Sequence, residues 1–432
     1  MIQDPVRQCA EGRDAVALAP GIHWLGALDP NLRQFDIILK TANGTSYNAY
    51  CVRGSAGVAV IDTVKEGFSE VFFSRLEKVA RYDEIRAVVL NHLEPDHSGA
   101  LPELLRRAPR ARLYVSPRAL PTLRGVMKEG LDPERVVTTQ DEDGVPRVID
   151  LGDRRLSFLQ TPYLHWPDTQ CTLLDDEGVL FSGDIFGCHF CDERLFNDRV
   201  GDFRFSFDYY YQHIMRPFRE HVLSALELIE PLSLRLIAPA HGPILRESPA
   251  DYVRRYRQLA TPLLHKESGA DEKTLLVFYV SAYGATERMA RALGEGADQV
   301  EGVRVSLFDL AGGEVAPFVD LVEEADGMVF GSPTINGDAV KPIWDLLSSL
   351  TLVNVKGKLG GAFGSYGWSG EAIGLIEDRL RGLKLRVPVK GVRLRLLPTP
   401  DELASCRAFG RDIALHLCGC AEKRVLDMAE LG

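Results

Sequence analysis

Long apolar runs are missing from this chain of 432 residues. No stretch approaches the roughly 18 uninterrupted apolar residues that a membrane-spanning helix needs, so we expect no such helix. The first residues, MIQDPVRQCAEGRD, also lack the apolar segment of a secretory signal peptide. These absences exclude an integral membrane protein and favour a protein of the cytoplasm.

The chain also has few cysteines and carries no net positive charge. The eight cysteines are scattered without the spacing of a disulfide framework, which is typical of a reducing compartment. The net charge of −11 argues against nucleic acid as a partner, because nucleic-acid phosphates select basic surfaces. The apolar fraction of 45% is typical of an ordinary soluble globular protein, which is the class that remains after these exclusions.

The two halves of the chain differ in pattern, and the chain is long for one hydrophobic core, so we predict two domains. In the first half, short strand-like runs alternate with loops and with helical patterns at 68–80 and 101–107, which predicts a mixed sheet covered by helices. After a predicted helix at 249–264 comes a polar linker at 265–273. The predicted domains are therefore 1–264 and 265–432. The strand-like runs of the first half lie at 35–39, 57–62, 85–90, 155–159, 179–183 and 234–240.

The second half alternates strand-like and helical stretches regularly. This alternation predicts an α/β domain with a doubly wound parallel sheet. Its strand-like runs lie at 274–280, 303–310, 327–332, 359–365 and 391–397.

Candidate metal ligands crowd the stretch VVLNHLEPDHSGAL, residues 88–101, which follows an apolar run. Further ligand types stand in LHWPDT and directly after two later strand-like runs. Because the ends of several strands meet at one edge of a sheet, we expect these side chains to converge there. Close carboxylates repel one another unless cations lie between them, so the set predicts two metal ions that share a carboxylate. The candidate ligands are His92, Glu94, Asp96, His97, His165, Asp184 and His241.

A candidate phosphate loop, YVSAYGATERMA, follows the first strand of the second half and opens a helix. Backbone N–H groups and short hydroxyls at a helix N-terminus hold a phosphate without a lysine. The loop is neither a Walker loop nor a dinucleotide turn. Its candidate residues are Ser281, Tyr283, Gly284, Ala285 and Thr286.

Two more loops, GSPTING (331–337) and GSYGWSGEA (364–372), follow the third and fourth strands of that half. Their glycines let the backbone approach a flat ring, which an aromatic side chain can cover. Loops at these three positions resemble those with which flavodoxin-like proteins bind FMN, and since one phosphate loop serves a mononucleotide, the resemblance implies FMN rather than FAD. The candidate residues are Ser332, Pro333, Thr334, Ile335, Asn336, Ser365, Tyr366, Gly367, Trp368, Ser369 and Gly370.

The ligand pattern H-x-E-x-D-H, followed by His, Asp and His, resembles the metallo-β-lactamase fold, an αββα sandwich. Hydrolases of that fold generally have His where this chain has Glu94, and a hard oxygen ligand shifts the preference from zinc toward iron or manganese. Together with LHWPDT and a C-terminal flavodoxin-like domain, the pattern resembles the flavodiiron proteins, or A-type flavoproteins, over about residues 15–420.

This resemblance implies a cofactor set of FMN and two irons, and an oxidoreductase that reduces O₂ to water, NO to N₂O, or both. It implies a head-to-tail homodimer, or a dimer of dimers, with a rubredoxin as electron donor. His23 would lie near the substrate pocket, and Trp368 at the junction between flavin and iron. One iron would be held by His92, Glu94 and His165, the other by Asp96, His97 and His241, with Asp184 as the bridge.

Two other functions stay open at this stage. One is a dizinc hydrolase with an accessory flavodoxin-like module, and the other is an electron carrier with a vestigial metal domain. Two minor features have no assigned role: the cysteines of GCHFC (187–191), and the locally basic stretch 379–395, which would suit an acidic donor or be an ordinary solvated surface.

Overall fold

A computed structural model describes residues 14–35, 39–128, 131–261, 272–311 and 316–420 of the chain. The chain divides into two compact units, Met1–Thr261 and Pro262–Gly432. The predicted domain boundary between residues 264 and 265 lies outside the described residues. No helix in the described ranges is both long enough and apolar enough to cross a bilayer.

The N-terminal unit contains a larger and a smaller sheet and two further sheets of two strands each. Its strands are β1 (Val16–Ala19), β2 (Ile22–Trp24), β3 (Ala27–Asp29), β4 (Gln34–Phe35), β5 (Leu39–Lys40), β6 (Thr45–Tyr47), β7 (Tyr50–Gly54), β8 (Gly57–Ile61), β9 (Ile85–Val89), β10 (Arg112–Val115), β11 (Val136–Thr138), β12 (Ile149–Asp150), β13 (Arg155–Gln160), β14 (Gln170–Leu174), β15 (Val179–Gly183) and β16 (Leu236–Pro239). Its helices are α1 (Ser69–Val79), α2 (Pro95–Ser98), α3 (Leu101–Arg107), α4 (Leu120–Met127), α5 (Arg204–Tyr210), α6 (Arg219–Ile229) and α7 (Pro249–Ala260). The two-stranded sheets pair β3 with β6 and β4 with β5.

Both large sheets are mixed, as the sequence predicts. The 7-stranded sheet has the order β1-β2-β7-β8-β9-β10-β11, and the 5-stranded sheet has the order β12-β13-β14-β15-β16. Strands β8 to β11 run parallel, and so do β15 and β16, whereas the other pairs are antiparallel. The parallel strands bring their carboxyl ends to one edge of each sheet, where loops with polar residues follow.

The two sheets pack face to face between layers of helices. Tyr50 and Ile61 of one sheet and Phe181 of the other belong to the core between the sheets. Apolar faces of α1, α3 and α4 cover the outside of the larger sheet, and α5, α6 and α7 cover the outside of the smaller one. This helix–sheet–sheet–helix arrangement confirms the predicted αββα sandwich.

One predicted strand of this unit is wrong. The apolar run 35–39 is not a single strand, because Phe35 and Leu39 pair with each other across the antiparallel hairpin of β4 and β5. Apolarity alone predicted one strand over the whole run, and apolarity does not give the point at which a strand ends.

The C-terminal unit has one parallel sheet with the order β18-β17-β19-β20-β21. Helices α8 and α12 pack on one face and α9, α10 and α11 on the other, which confirms the doubly wound, flavodoxin-like prediction. Because the strand order reverses between β17 and β19, the loops after these strands open onto a shared crevice. The elements are β17 (Lys273–Tyr279), β18 (Val303–Asp309), β19 (Gly327–Gly331), β20 (Leu359–Tyr366) and β21 (Val392–Arg395), with α8 (Ala285–Ala297), α9 (Ala316–Glu324), α10 (Lys341–Ser349), α11 (Glu371–Gly382) and α12 (Pro400–Leu417).

Candidate metal centre and cofactor cavity

All the predicted metal ligands lie just beyond strand ends of the N-terminal unit, and the fold brings them together in two groups. The ligand atoms within each group lie within 4.8 Å of one another. One group is His92, Glu94, His165 and Asp184, and the other is Asp96, His97 and His241.

Asp184 is the carboxylate that faces both groups. Its Oδ2 lies 3.1 Å from Nε2 of His92 and 3.5 Å from Nε2 of His165. Its Oδ1 lies 3.4 Å from Nε2 of His97 and 3.7 Å from Nε2 of His241. Each oxygen therefore serves a different pair of imidazoles, which is the geometry that a bridging carboxylate requires.

The other two carboxylates divide between the groups. Glu94 Oε2 lies 3.2 Å from Nε2 of His92 and 3.1 Å from Nε2 of His165. Asp96 lies 3.2 Å from Nε2 of His241 through Oδ2, and 3.3 Å from Nε2 of His97 through Oδ1. Each half thus has two imidazoles and one carboxylate of its own, in addition to one oxygen of Asp184.

Buried polar atoms without hydrogen bonds test whether a metal fits these residues. Both carboxylate oxygens of Asp96 and of Asp184, and both ring nitrogens of His97, are buried and have no hydrogen-bond partner among the described residues. Buried polar atoms are rarely left in this state, since each costs free energy. Mixed imidazole and carboxylate ligands suit iron, so the donor set fits the predicted pair of irons.

The pKa values of the ligand residues are shifted by the charges of their close neighbours. Burial alone would raise the pKa of the Asp184 carboxyl, but the charges of His92 and His97 hold it well below its ordinary value. Burial alone would lower the pKa of His241, but the neighbouring Asp96 raises it to about 9. Cations and carboxylates therefore stabilise one another here, and a metal that displaces the imidazole protons takes over that role.

A buried hydrogen-bond network holds the loop that carries His92 and Glu94. Asp62, immediately after β8, accepts hydrogen bonds from the backbone N–H and the side-chain amide of Asn91, at 2.8 and 2.9 Å. Asp168 of the LHWPDT segment accepts a hydrogen bond from the backbone N–H of Leu93 at 2.9 Å. These carboxylates fix the backbone on both sides of His92, so its imidazole is positioned before a metal binds.

A second network holds the loop of His241. The carbonyl of Ser46 accepts a hydrogen bond from Nδ1 of His241 at 2.6 Å, which leaves Nε2 directed at the carboxylates. The Asn48 side-chain amide donates to the carbonyls of Pro239 and Gly242, at 2.8 and 3.0 Å. Gly242 has φ +78°, and a Cβ there would lie 2.6 Å from the carbonyl oxygen of Cys188, so the close approach of this loop requires glycine.

In the C-terminal unit, a cavity of about 670 Å³ opens where the loops after β17, β19 and β20 meet. Its lining is mainly apolar and aromatic, with a few hydroxyl groups, as expected for a flat ring system with a polar tail. Lining residues are Ser281, Ala282, Tyr283, Ala285, Pro333, Thr334, Ile335, Ser365, Tyr366, Gly367, Trp368, Leu396 and Leu397.

The phosphate loop has the local structure that its sequence predicts. Gly284 stands just before α8 with φ +78°, and Ser281 Oγ accepts a hydrogen bond from the backbone N–H of Glu287 at 3.2 Å. The hydroxyl of Thr286 lies 3.0 Å from that of Ser365 in the third loop. Backbone N–H groups at the start of a 13-residue helix, together with these hydroxyls, fit a phosphate monoester.

Comparisons with known proteins match both units. Residues 45–242 match the family described as ODP family beta lactamase, and residues 277–410 match the flavodoxin family. The type A flavoprotein fprA of Rhodobacter capsulatus is 61% identical over 419 residues, covering 96% of this chain and 94% of the relative. The flavo-diiron protein FprA2 of Clostridium acetobutylicum is 36% identical, covering 93% of this chain and 99% of the relative.

The chain belongs to the flavodiiron family of type A flavoproteins. Another relative is the anaerobic nitric oxide reductase flavorubredoxin of Salmonella arizonae, 33% identical and covering 93% of this chain and 82% of the relative. Among solved structures, rubredoxin oxygen:oxidoreductase of Desulfovibrio gigas matches with a TM-score of 0.63 and 28% identity, covering 94% of this chain and 99% of that one. The family resemblance predicted from the sequence is confirmed.

Within this flavodiiron fold, His23 is not a member of either group of metal ligands. It lies in β2 opposite Cys51 of β7, and the hydrogen bonds, ion pairs and ring contacts of the described ligands do not include it. Its Nδ1 is buried without a hydrogen-bond partner. Burial, together with the charge of Arg53, lowers the pKa of His23, as expected for an imidazole within a sheet. The predicted position of His23 near a substrate pocket receives no support from these contacts.

Four aromatic residues that the sequence did not predict as site residues surround His241 instead. Ring centroids lie 5.6 Å from His241 for Phe35, 5.9 Å for Tyr47, 5.1 Å for His189 and 6.3 Å for Tyr210. His189 lies in the GCHFC segment, of which the sequence analysis singled out only the cysteines. Cys188 of the same segment is a free and buried thiol.

The predicted flavin residues are only partly in the cavity lining. The lining includes Trp368, which is 79% exposed, and Tyr283, which is 92% exposed. Ser332 instead accepts a hydrogen bond from the backbone N–H of Val340, so its hydroxyl shapes the loop. Leu396 and Leu397, which follow β21, line the cavity without having been predicted, since leucine carries no chemical sign of a cofactor site. The predicted residues outside the lining are Gly284, Thr286, Ser332, Asn336, Ser369 and Gly370.

Proposed function

We propose that the chain is an oxidoreductase that reduces O₂ to water, NO to N₂O, or both, with FMN and a non-haem diiron pair as its cofactors. The observation that carries the proposal is the position of Asp184, whose two oxygens face two separate pairs of imidazoles. When bound, the flavin supplies electrons one or two at a time, and the iron pair supplies adjacent redox-active positions for the gas.

The residues that would hold the irons follow from the two halves of the site. His92, Glu94 and His165 belong to one half, Asp96, His97 and His241 to the other, and Asp184 would bridge them. The side chain of His165 is 16% exposed, whereas those of His92, His97 and His241 are 1% exposed. Small molecules therefore reach the first half more directly, and the second half is shielded from water.

The FMN phosphate would sit at the start of α8, held by Ser281, Thr286 and backbone N–H groups. The isoalloxazine ring would lie in the apolar part of the cavity, flanked by Tyr283 and Trp368, with Leu396 and Leu397 along one side. Apolar surroundings exclude water from the ring, and the phosphate loop supplies specificity for a mononucleotide.

The names of the relatives support the choice of gases. One relative is named as a nitric oxide reductase, and one solved structure as an oxygen oxidoreductase that uses rubredoxin. Glu94 supports iron rather than the zinc of hydrolases, because it places a hard oxygen ligand in the first half of the site. A dizinc hydrolase is the alternative that metal analysis tests directly.

The experiment combines cofactor analysis with gas consumption. Protein loaded with iron and reduced without air is expected to contain about two irons and one FMN per chain and to consume O₂, NO or both. Zinc in place of iron, with esterase or lactamase activity, would support the hydrolase. Iron-loaded protein that is inert toward both gases would overturn the proposal.

For partners, we propose a head-to-tail homodimer, or a dimer of such dimers, in which the flavin of one subunit serves the iron pair of the other. We propose rubredoxin as the electron donor and the cytoplasm as the location. The basic stretch 379–395 ends at Arg395, whose Nε donates to the carbonyl of Gly367 in the cavity lining, so an acidic donor has a cationic surface beside the flavin cavity. Mixed dimers test the arrangement: a subunit lacking iron and one lacking FMN should regain activity together only if electrons cross between subunits.

A further inference from the structure

His189 lies against the metal site without belonging to either ligand group. It follows Asp184 by five residues and is 6% exposed. Its ring centroid lies 5.1 Å from that of His241, 5.0 Å from that of Tyr210 and 4.4 Å from that of Phe35. A polar ring enclosed in this way needs partners for both of its nitrogens.

One nitrogen has a partner that determines where the ring proton resides. The hydroxyl of Thr45 lies 2.9 Å from Nδ1 of His189, and 3.3 Å from the carbonyl of Ser46. That carbonyl already accepts the shorter hydrogen bond from Nδ1 of His241, at 2.6 Å. The hydroxyl has a single proton, and the nearer, otherwise unused acceptor is Nδ1 of His189. With Nδ1 accepting, the N–H of the His189 ring is at Nε2.

The other nitrogen has no partner. Nε2 of His189 is buried and makes no hydrogen bond to any described residue. Leaving a buried donor unpaired costs free energy, so such a group in a folded protein calls for a role. The rings that contact His189 are those of the ligand His241, Phe35 and Tyr210, and none of them is a hydrogen-bond partner of Nε2.

We propose that Nε2–H of His189 donates a hydrogen bond to a small oxygen- or nitrogen-containing ligand in the half of the site formed by Asp96, His97 and His241, and that Thr45 is a positioning residue for His189. This inference rests on the proposed function and adds to it a hydrogen-bond donor for the bound gas. Reduction places negative charge on the atoms of the gas, and a fixed donor in a water-poor site stabilises that charge.

The test uses azide, a small anion that accepts hydrogen bonds, as the probe on oxidised, iron-loaded, full-length protein. Azide binding is followed by absorption titration, with iron content measured on the same samples. His189→Leu removes the donor and is expected to weaken azide binding about tenfold, which corresponds to one ordinary hydrogen bond. His189→Gln keeps an N–H donor and is expected to restore most of the affinity.

Thr45 variants test the positioning role separately. Thr45→Val keeps the shape but removes the hydroxyl, so azide binding should weaken about threefold because the ring proton is no longer confined to Nε2. Thr45→Ser keeps the hydroxyl and should bind azide as the unmodified protein does. If Thr45 acts through His189, Thr45→Val should have no further effect in the His189→Leu protein.

The outcomes distinguish this inference from the proposed function. Unchanged azide affinity in His189→Leu protein that retains two irons would overturn the inference and leave the proposed function standing. Independent, multiplying effects of Thr45→Val and His189→Leu would overturn the positioning role. If His189→Leu loses iron, the comparison of Thr45→Val with Thr45→Ser decides instead. Unmodified protein that takes up no iron would overturn both proposals.

Discussion

The metal site and the flavin cavity differ in what they bury: the metal site buries charged groups, and the flavin cavity leaves apolar side chains exposed. Around the metal site the chain buries its charges: Asp184 is 2% exposed and His97 is fully buried. Around the flavin cavity it exposes its apolar surface: Trp368 is 79% exposed and Leu396 is 63% exposed. The first region is costly to fold unless a cation is present, whereas the second leaves surface that a flat ligand can cover.

This difference predicts how strongly the binding of each cofactor affects the stability of the unit that holds it. The metal ligands are oriented by buried networks around Asp62 and Asn48, so their positions are set by the core of the N-terminal unit. The flavin loops are held by a few hydroxyl and backbone contacts at the rim of a sheet that already has its own core. We therefore expect metal binding to raise the free energy of unfolding of the N-terminal unit strongly. FMN binding should raise that of the C-terminal unit only by the mass-action effect of a bound ligand.

The largest effect is expected from breaking the bridge. Asp184→Asn keeps the shape of the side chain but removes the charge that faces both pairs of imidazoles. Bound iron should fall below one per chain, and gas consumption should fall by more than the 10- to 100-fold that is typical of residues that only orient metal ligands. Asp176→Asn, at an exposed position in the turn before β15, is the matched control and should change neither. Full iron content in Asp184→Asn would show that the bridge is not needed.

The next largest effect is expected in the stability of protein from which a chelator has removed the metal, because its free energy of unfolding should depend on pH. The folded-state pKa of His241 is about 9, above its ordinary value of 6.5, so its contribution to stability is full below pH 6.5 and is lost as the pH rises through 9. Glu94 and Asp184 have lowered pKa values, so their contributions are present above their ordinary values and are lost in acid.

His241 alone should therefore lower the free energy of unfolding of the metal-free N-terminal unit by about 3 kcal/mol between pH 6.5 and 9, and His92 and His165, whose pKa values are also raised, should add to this loss. Denaturant titrations at several pH values measure this, with the iron-loaded protein as control, since there the metal has replaced the imidazole protons. Equal pH dependence with and without iron would contradict the account, because it would mean that these imidazoles do not exchange protons for metal.

The same contrast explains how much the sequence could predict. The metal ligands are chemically distinctive residues in the segments that follow strands, so the group was predictable from the sequence, whereas its division into two halves came from the family resemblance. Thr45, Tyr210 and His189 were not, because they reach the site through side-chain packing between elements distant in sequence. Nothing in GCHFC indicates that its histidine, rather than its cysteines, faces the metal ligands.

In the C-terminal unit the loops were predictable from glycine, serine and aromatic residues, but the full cavity was not. Leu396 and Leu397 complete it only because β21 lies next to β20, a pairing that the sequence pattern implies without giving the register. His23 was assigned to the pocket by resemblance alone, and its place in β2 opposite Cys51 of β7 leaves that assignment a prediction.

A smaller effect is expected from the exposed side of the flavin cavity. Trp368→Ala removes an indole that has few contacts of its own, so it should leave stability and iron content unchanged. FMN affinity should fall about tenfold, because the ring loses a stacking surface. Fluorescence titration of flavin-free protein measures this, with Phe205→Ala as the control, since Phe205 is 78% exposed in the other unit. Unchanged FMN affinity would show that the indole does not cover the ring.

The smallest effect is expected at the phosphate loop, where only the backbone changes. Gly284 has φ +78°, and a Cβ added there would meet nothing within 4 Å, so Gly284→Ala introduces conformational strain without a clash. The strain of about 1 kcal/mol falls on the turn that aims N–H groups at the phosphate, and FMN affinity should fall about fivefold. Gly302→Ala is the matched control, because Gly302 has φ +81° and equally open surroundings but precedes β18, at the sheet edge opposite the loop that opens α8. Both variants should lower the melting temperature of the C-terminal unit similarly, and only Gly284→Ala should weaken FMN binding. Equal FMN affinity in the two proteins would mean that the strain is absorbed by the unit as a whole, and that the turn at Gly284 does not set the phosphate geometry.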